Sequence, residues 1–398
     1  MAVQSWEERT AALNTATSAS PQQKPKGFFR EWGDAILFAV VAATLIRWAT
    51  FEAYTIPTPS MEHTLLVGDY LFVSKLHYGP RTPQTPLQVP LTHQTIWGTS
   101  IPSYSDALQL TSYRLPGFSE VKRNDVVVFN VPFEKEHPAD LRTNYIKRCI
   151  GIAGDVLELR EQQVYINGKP APNPVESQNR YTLPINSDET IRGKVFQDQG
   201  IYEYGSPDGS PQARITAVGP GYVVDMTPKT AAYFKQQSFV RGVVLDKSEP
   251  GVGEPEVFPN NPDYPSSQPN MGASPFKNWN KDNYGPLQIP KAGQTVQLTP
   301  ANTPIYQKII MRYEQNEGVT LENGMLLQND KALTSYTFKQ DYFFMMGDNR
   351  HDSLDSRYWG FVPKDHIVGK AVLIWMSVNP YADFFHKIRW SRLFNFIN

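Results

Sequence analysis

The chain of 398 residues contains a single cysteine, Cys149. One thiol cannot form an internal disulfide, and it excludes a cysteine-rich metal site. An excess of charge of one sign is also missing: 38 basic and 39 acidic residues give a net charge of −1, so no overall field favours nucleic acid as a partner. Neither a glycine-rich phosphate loop nor a His-Glu-x-x-His zinc motif is present. The residues therefore indicate no cofactor and no metal.

Long apolar runs are equally scarce. The one uninterrupted run, residues 35–46, has 12 residues and is too short to cross a bilayer alone. Extended over residues 33–54, it would form ~30 Å of helix, enough for a transmembrane span. Arg47 lies in this extension, at a cost of about 2.5–3.5 kcal/mol at a bilayer centre and less near an interface.

Three alternatives to a permanent span stay open: a cleaved signal peptide, a buried core helix and an amphipathic surface helix. The residues after the run, Arg47-Trp48-Ala49, are a poor cleavage site. We expect a permanent anchor. Basic residues before it favour an N-terminus in the cytoplasm, because positive residues stay on that side; they are Lys24, Lys26 and Arg30.

Proline (33 residues) and aromatic residues (12%) are abundant, which is typical of strands, turns and irregular loops. We predict a mainly β protein, in which an N-terminal transmembrane helix precedes an antiparallel β-sheet domain with a large inserted β-rich, irregular subdomain. The predicted parts are a cytoplasmic tail (1–32), the anchor (33–54), the first part of the β domain (55–172, with a loop at 77–119), the insert (173–335), the second part (336–380) and a C-terminal tail (381–398).

Apolar, β-branched runs predict buried strands at 126–131, 145–152, 342–346 and 367–375. Asn167-Gly168 predicts a tight hairpin turn, since both residues tolerate positive φ. Residues 390–397, aromatic and short, are predicted to form a terminal amphipathic helix.

Ser60 is a candidate nucleophile. Pro57 and Pro59 hold the preceding backbone in a stiff, extended elbow, just after the anchor. The alternative is an ordinary turn serine or helix cap. A serine nucleophile needs a base near pH 7, and a buried lysine can serve once its pKa has fallen.

Lys147 is the candidate base, because it lies in an apolar strand. The alternation of a strand places Lys147 on one face with Tyr145 and Cys149, whereas Arg148 points the other way, towards a possible carboxylate. The alternative is a strand lysine on a solvated face.

Four segments in order carry a resemblance. They are Pro-Ser-Met-Glu-His-Thr-Leu-Leu-Val-Gly-Asp (59–69), Arg-Asn-Asp-Val-Val-Val-Phe (123–129), Asn-Tyr-Ile-Lys-Arg-Cys-Ile-Gly-Ile-Ala-Gly-Asp (144–155) and Gly-Asp-Asn-Arg-His-Asp-Ser-Leu-Asp-Ser-Arg-Tyr-Trp-Gly-Phe-Val-Pro (347–363). Together they resemble the motifs of bacterial type I signal peptidase, a Ser/Lys serine protease, and they follow an anchor as in that family. The loop 77–119 and the insert lie outside the resemblance.

The resemblance implies a role for each matching residue. Ser60 would be the nucleophile, Lys147 the general base and Ser353 the serine that orients the lysine amine. The Ser60 N–H and the Thr58 hydroxyl would form the oxyanion hole. Thr58 and Pro59 depart from the family pattern, in which serine and a small residue are common at these positions. The remaining polar residues are expected in structural ion pairs (Arg148, Asp348, Asp355, Arg357) or on the loop surface (His351, Asp352).

The implied function is removal of signal peptides from secreted preproteins after an Ala-x-Ala-like site, by the β domain on the outer face of the bacterial cytoplasmic membrane. The expected partners are preproteins and the lipid bilayer, with no nucleic acid, and the chain is expected to be a monomer. Two rivals remain: a self-cleaving Ser/Lys protease of the LexA repressor type, and a non-catalytic, membrane-anchored β-rich binding module or inactive homologue. No DNA-binding helix pair precedes Ser60, which disfavours the first.

Overall fold

The structure, a computed structural model, describes residues 27–186, 190–201, 204–205, 211–212, 215–265, 274–380, 382 and 385–397. Within these ranges the chain is mainly β, and all pairings between its strands are antiparallel. The predicted fold class is confirmed.

The α-helices are α1 (Phe28–Ala49), α2 (Gly193–Asp198), α3 (Pro228–Lys235), α4 (Thr303–Lys308) and α5 (Ser356–Trp359). A π-helical turn, Ile309–Tyr313, follows α4, and 3-10 helices span Ala139–Leu141, Lys364–His366 and Trp390–Arg392.

The strands up to residue 226 are β1 (Phe51–Thr55), β2 (Asp69–Ser74), β3 (Val126–Asn130), β4 (Asn144–Gly151), β5 (Val156–Arg160), β6 (Gln163–Ile166), β7 (Lys169–Pro170), β8 (Asn179–Pro184), β9 (Tyr204–Gly205), β10 (Pro211–Gln212), β11 (Ile215–Ala217) and β12 (Gly221–Met226). Those that follow are β13 (Val244–Leu245), β14 (Tyr284–Gln288), β15 (Thr295–Gln297), β16 (Val319–Glu322), β17 (Met325–Gln328), β18 (Lys331–Ala332), β19 (Ser335–Thr337), β20 (Tyr342–Met346), β21 (Val362–Pro363), β22 (Ile367–Ser377) and β23 (Asn395–Phe396).

The largest sheet has the order β1-β2-β22-β3-β4-β20-β21, and β23 pairs with β22. All residues of β3 and β20 are buried, as their apolar runs predict. Along β3, Val126 and Val128 join one apolar cluster while Val127 and Phe129 join another. Because successive side chains point to opposite faces, the centre of this sheet is covered on both sides.

Helix α1 is the one helix in the described ranges that is long and apolar enough to cross a membrane, and none of its residues is buried. That finding disfavours the buried core helix. The predicted helix bounds of 33–54 are wrong at both ends, because Phe51–Thr55 leaves the helix and pairs with Asp69–Ser74. Arg47 Nε donates to Glu52 at 2.7 Å, and Lys75 lies 2.8 Å from the same carboxylate, so the two cations share one anion.

Residues 173–335 contain two differently packed groups. Strands β11-β12-β8-β13 form a sheet with an apolar cluster of its own, which includes Leu183, Val224 and Phe234. The later residues, among them Phe258 and Ile310, instead share a cluster with strands β5, β6 and β20. Only the first group therefore has a separate core.

The predicted helix at 390–397 is wrong. Trp390–Arg392 forms one 3-10 turn, and Asn395–Phe396 then pairs with β22. Arg392 donates to Asp69 Oδ2 at 2.6 Å and to the Thr64 carbonyl at 2.9 Å. Pairing with β22 outweighs the local pattern here, because tertiary context overrides the intrinsic preference of a short segment.

Candidate active site

Ser60 lies in a short turn between β1 and β2. The backbone closes this turn through hydrogen bonds from Glu62 N to Pro59 O and from Leu65 N to Met61 O, at 2.9 and 2.7 Å. The side chains of Met61 and Leu65 are fully buried and anchor the turn in the sheet. Ser60 is thereby held in a fixed place, and it is itself buried to all but 8%.

Lys147 approaches Ser60 from β4. Its Nζ lies 2.7 Å from Ser60 Oγ and 3.0 Å from the Ile146 carbonyl, over the ring of Tyr145. The lysine is 4% exposed. Burial lowers its pKa to about 8, against the opposing effect of Asp355, Asp348 and Asp352. Near neutral pH a fraction of this amine is unprotonated, which is the form that can accept the serine proton.

Ser353 is buried beside the pair but makes no hydrogen bond to the lysine. Its Oγ has no hydrogen-bond partner among the described residues. The hydroxyl lies near the Asp355 carboxylate, close enough to lower its pKa but without hydrogen-bond geometry. The predicted orienting contact with Lys147 is therefore not made in this structure.

The predicted oxyanion donors are present and unoccupied. Thr58 is exposed, and its hydroxyl forms no hydrogen bond within the described ranges. The Ser60 N–H likewise donates to no acceptor there. Both groups are available to a bound substrate.

Two buried ion pairs hold the 347–357 loop: one joins it to β4, and the other lies within the loop. Arg148 donates to Asp348 from Nε and Nη2, at 2.9 and 2.7 Å, and Thr64 donates to the same carboxylate at 2.6 Å. Asp355 accepts from Arg357 Nε and Nη2, both at 2.9 Å. Burial raises the pKa of Asp355, but the Arg357 guanidinium outweighs this and holds it below its ordinary value.

Several contacts in this region were not predicted from the sequence. Asn349 N donates to the Ser60 carbonyl at 3.1 Å. A Cβ added at Gly347 would overlap Ser353 and lie 2.5 Å from that carbonyl, so only glycine fits. Buried Gln178 accepts from Arg350 N and donates to Asp348 O, and thereby supports the loop. Gly347 lies in the motif of residues 347–363 and could therefore have been identified from the sequence, whereas no sequence pattern indicates Gln178.

His351 is not on the loop surface as predicted. Its side chain is 2% exposed, and Nδ1 accepts from Arg180 N at 3.2 Å. Burial lowers its pKa to about 3, so the imidazole is neutral. Strand β8, which is distant in sequence, packs beside the loop and covers His351.

No cluster of three or more His, Cys, Asp or Glu residues suited to a metal ion occurs in the part of the chain that the structure describes. The chemistry available at the site is thus that of a serine hydroxyl next to a buried amine, with two free donors nearby.

Comparison with known proteins identifies the family of this chain. The family described as "Signal peptidase, peptidase S26" matches residues 29–210 and 290–376. The chain is 26% identical over 358 residues to Signal peptidase I of Buchnera aphidicola subsp. Acyrthosiphon pisum, covering 89% of this chain and 78% of that one.

Two further relatives match over shorter stretches. Signal peptidase I T of Bacillus subtilis is 30% identical over 171 residues, 43% of this chain and 65% of its own. Signal peptidase I of Rickettsia massiliae is 34% identical over 140 residues, 35% of this chain and 43% of its own. Since the family matches most of the chain and both segments bearing the site, this chain belongs to the signal peptidase family, peptidase S26, and is a serine endopeptidase.

Proposed function

We propose that this chain is a membrane-anchored endopeptidase that removes signal peptides from preproteins after an Ala-x-Ala-like site, with Ser60 as nucleophile and Lys147 as general base. The observation that carries the proposal is the 2.7 Å separation between a buried lysine amine and a serine hydroxyl. In this proposal residues 55–172 and 336–380 form the catalytic domain, and residues 173–335 are an insert of unassigned role.

The chemistry is serine acyl transfer. Neutral Lys147 takes the proton of Ser60 as Oγ attacks the scissile carbonyl carbon, and the developing oxyanion accepts hydrogen bonds from the Ser60 N–H and the Thr58 hydroxyl. The Lys147 ammonium then protonates the leaving amine, which departs as the new N-terminus. Water, deprotonated by the same amine, hydrolyses the acyl-enzyme and restores Ser60.

The anchor explains the choice of substrate. A signal peptide carries its small-residue site just beyond an apolar core, at the bilayer surface. Ser60 follows α1 after one short strand, so it would meet that site there. The N-terminus then lies in the cytoplasm, and the catalytic domain lies on the outer face of the cytoplasmic membrane as a monomer in contact with lipid.

Selection of small side chains is assigned to a shallow cavity next to the pair. A cavity of about 230 Å³ is lined by Tyr145, whose ring lies next to the Lys147 amine, and by Val131, Phe133 and Thr143. The rest of its lining is Glu134, Lys135, Glu136 and Pro265. Ile56, which follows β1, is buried in the core with Met61 and does not line this cavity. The Tyr145 side of the pair is therefore the better candidate.

The decisive experiment is cleavage of a preprotein with an Ala-x-Ala site by the detergent-purified chain, with N-terminal sequencing of the product. Wild type is expected to cut after the second alanine, and Ser60→Ala is expected to leave the preprotein intact. Intact preprotein with folded wild type would instead support a non-catalytic binding module or inactive homologue.

The pH dependence of cleavage should reflect the protonation state of Lys147. Because Lys147 acts unprotonated and its pKa is about 8, kcat/KM is expected to rise about tenfold per pH unit below that value and to level off above it. Initial rates on a peptide substrate between about pH 6 and pH 9 measure this. A flat profile over that range would exclude Lys147 as the base.

Thr58→Val is expected to lower kcat about hundredfold, because it removes one oxyanion donor while keeping the branched shape. Thr58→Ser retains the hydroxyl and should stay within a few-fold of wild type. If valine and serine variants were equally active under saturating substrate, the Thr58 hydroxyl would play no part in oxyanion stabilisation.

A further inference from the structure

Arginine side chains in this chain meet carboxylates in one recurrent way. Each of five arginines directs Nε and Nη2, the two donors on one edge of the guanidinium, to a single aspartate. That edge matches the two oxygens of a carboxylate and gives a strong, planar pair. The pairs are Arg123–Asp155, Arg148–Asp348, Arg180–Asp225, Arg357–Asp355 and Arg392–Asp69.

Arg350 presents the same edge without an acceptor. The residue is 5% exposed, and neither Nε nor Nη2 has a hydrogen-bond partner in the described part of the chain. Its Nη1 reaches only the sulfur of Met346, at 3.9 Å. A buried guanidinium that lacks an acceptor loses its hydration without compensation.

The charges around Arg350 leave positive charge in excess. Burial, together with the guanidinium groups of Arg357 and Arg148, lowers its pKa to about 10. Asp348 and Asp355 oppose this effect, but their carboxylate oxygens are already engaged by those two arginines. An additional anion would balance the cluster.

Arg350 lines a cavity of about 440 Å³ that can hold such an anion. No aspartate or glutamate lines this cavity, whereas Arg123 and Lys169 line it together with Arg350. Its other wall is apolar and comes from Ile150, Val164 and the prolines of residues 170–174. The cavity therefore combines a cationic side with an apolar side.

We propose that this cavity is a binding site for a small carboxylate on an apolar body, whose carboxylate pairs with Nε and Nη2 of Arg350. Both nitrogens are closed to solvent in the structure, and in the proposed complex the guanidinium turns towards the cavity to meet the carboxylate. The preceding residue, Asn349, donates from its backbone N–H to the Ser60 carbonyl. An occupied site would thus steady the loop that supports Ser60, which is a role beyond peptide cleavage itself.

The test uses the full-length, detergent-purified protein and two probes of equal shape, sodium hexanoate and uncharged hexanamide. Hexanoate is expected to bind saturably by calorimetry and to raise the unfolding temperature by about 2 °C at ten times its Kd. Hexanamide, which lacks the charge, is expected to do neither.

Variants connect binding to Arg350. Arg350→Met should weaken hexanoate binding at least about tenfold while its unfolding temperature without ligand stays equal or rises, because an unpaired buried charge is removed. Ala171→Leu, which fills the opposite wall of the cavity, should also block binding. The same arginine-to-methionine change at exposed Arg241 is the matched control and should bind as wild type does.

Equal binding of hexanoate and hexanamide would overturn the proposal, as would wild-type affinity in Arg350→Met. A failed cleavage assay would leave both of these measurements unaffected, so the two proposals are tested separately.

Discussion

Lys147→Met is expected to lower kcat for preprotein cleavage by at least about 10⁴-fold, the scale of losses when a serine protease loses its base. Methionine fills a similar volume in the apolar surroundings of β4 but cannot accept the Ser60 proton. Burial of the Lys147 amine carries a desolvation penalty that lowers the free energy of unfolding. The variant lacks this penalty, so it should unfold at the same temperature as wild type or higher. Single-turnover cleavage with thermal unfolding on the same sample measures both effects.

The same substitution at exposed Lys229 is the matched control and should leave the rate unchanged. Turnover within tenfold of wild type in Lys147→Met would remove the lysine from the mechanism, whatever its distance to Ser60.

Asp355→Ala is expected to lower the free energy of unfolding by about 3–5 kcal/mol, because it leaves the Arg357 guanidinium buried without its carboxylate. The change also removes the acceptor of Gly347 N. Since the pKa of Asp355 is below its ordinary value in the folded chain, its contribution is present above about pH 4 and is lost as the pH falls through the lowered pKa. Urea unfolding at neutral pH gives the free energy.

The double variant Asp355→Ala/Arg357→Met should recover more than half of that loss, because both charges are then absent. The exposed control Asp106→Ala should change the free energy of unfolding by no more than about 0.5 kcal/mol. A loss below about 1 kcal/mol in Asp355→Ala would mean that water replaces the carboxylate at Arg357.

The sequence allowed prediction of features whose causes are local. The fully apolar run of β3 allows no exposed face, so burial followed directly from its composition. Asn167 and Gly168 both adopt positive φ between β6 and β7, as the dipeptide predicts. The candidate nucleophile and base came from motif residues, and the fold brings Ser60 and Lys147 together.

Features that depend on distant partners were missed. Gln178 supports the 347–357 loop through a bridge to Asn349, and nothing in its neighbours along the chain indicates this. His351 is covered by β8, a strand from a different part of the sequence. The helix predicted at 390–397 fails for the same reason: β22 offers hydrogen bonds that a local pattern cannot reveal.

The ion pair between Arg392 and Asp69 also affects when the fold can be completed during translation. Asp69 and Arg392 are 323 positions apart, and Thr64 is bonded to Asp348 across 284. A ribosome therefore releases the serine turn long before it makes the residues that fasten it. Until residue 392 has emerged, the nascent polypeptide has no complete frame around Ser60. Completion of the frame around Ser60 therefore waits for residues that are made long after Ser60 and Lys147 themselves.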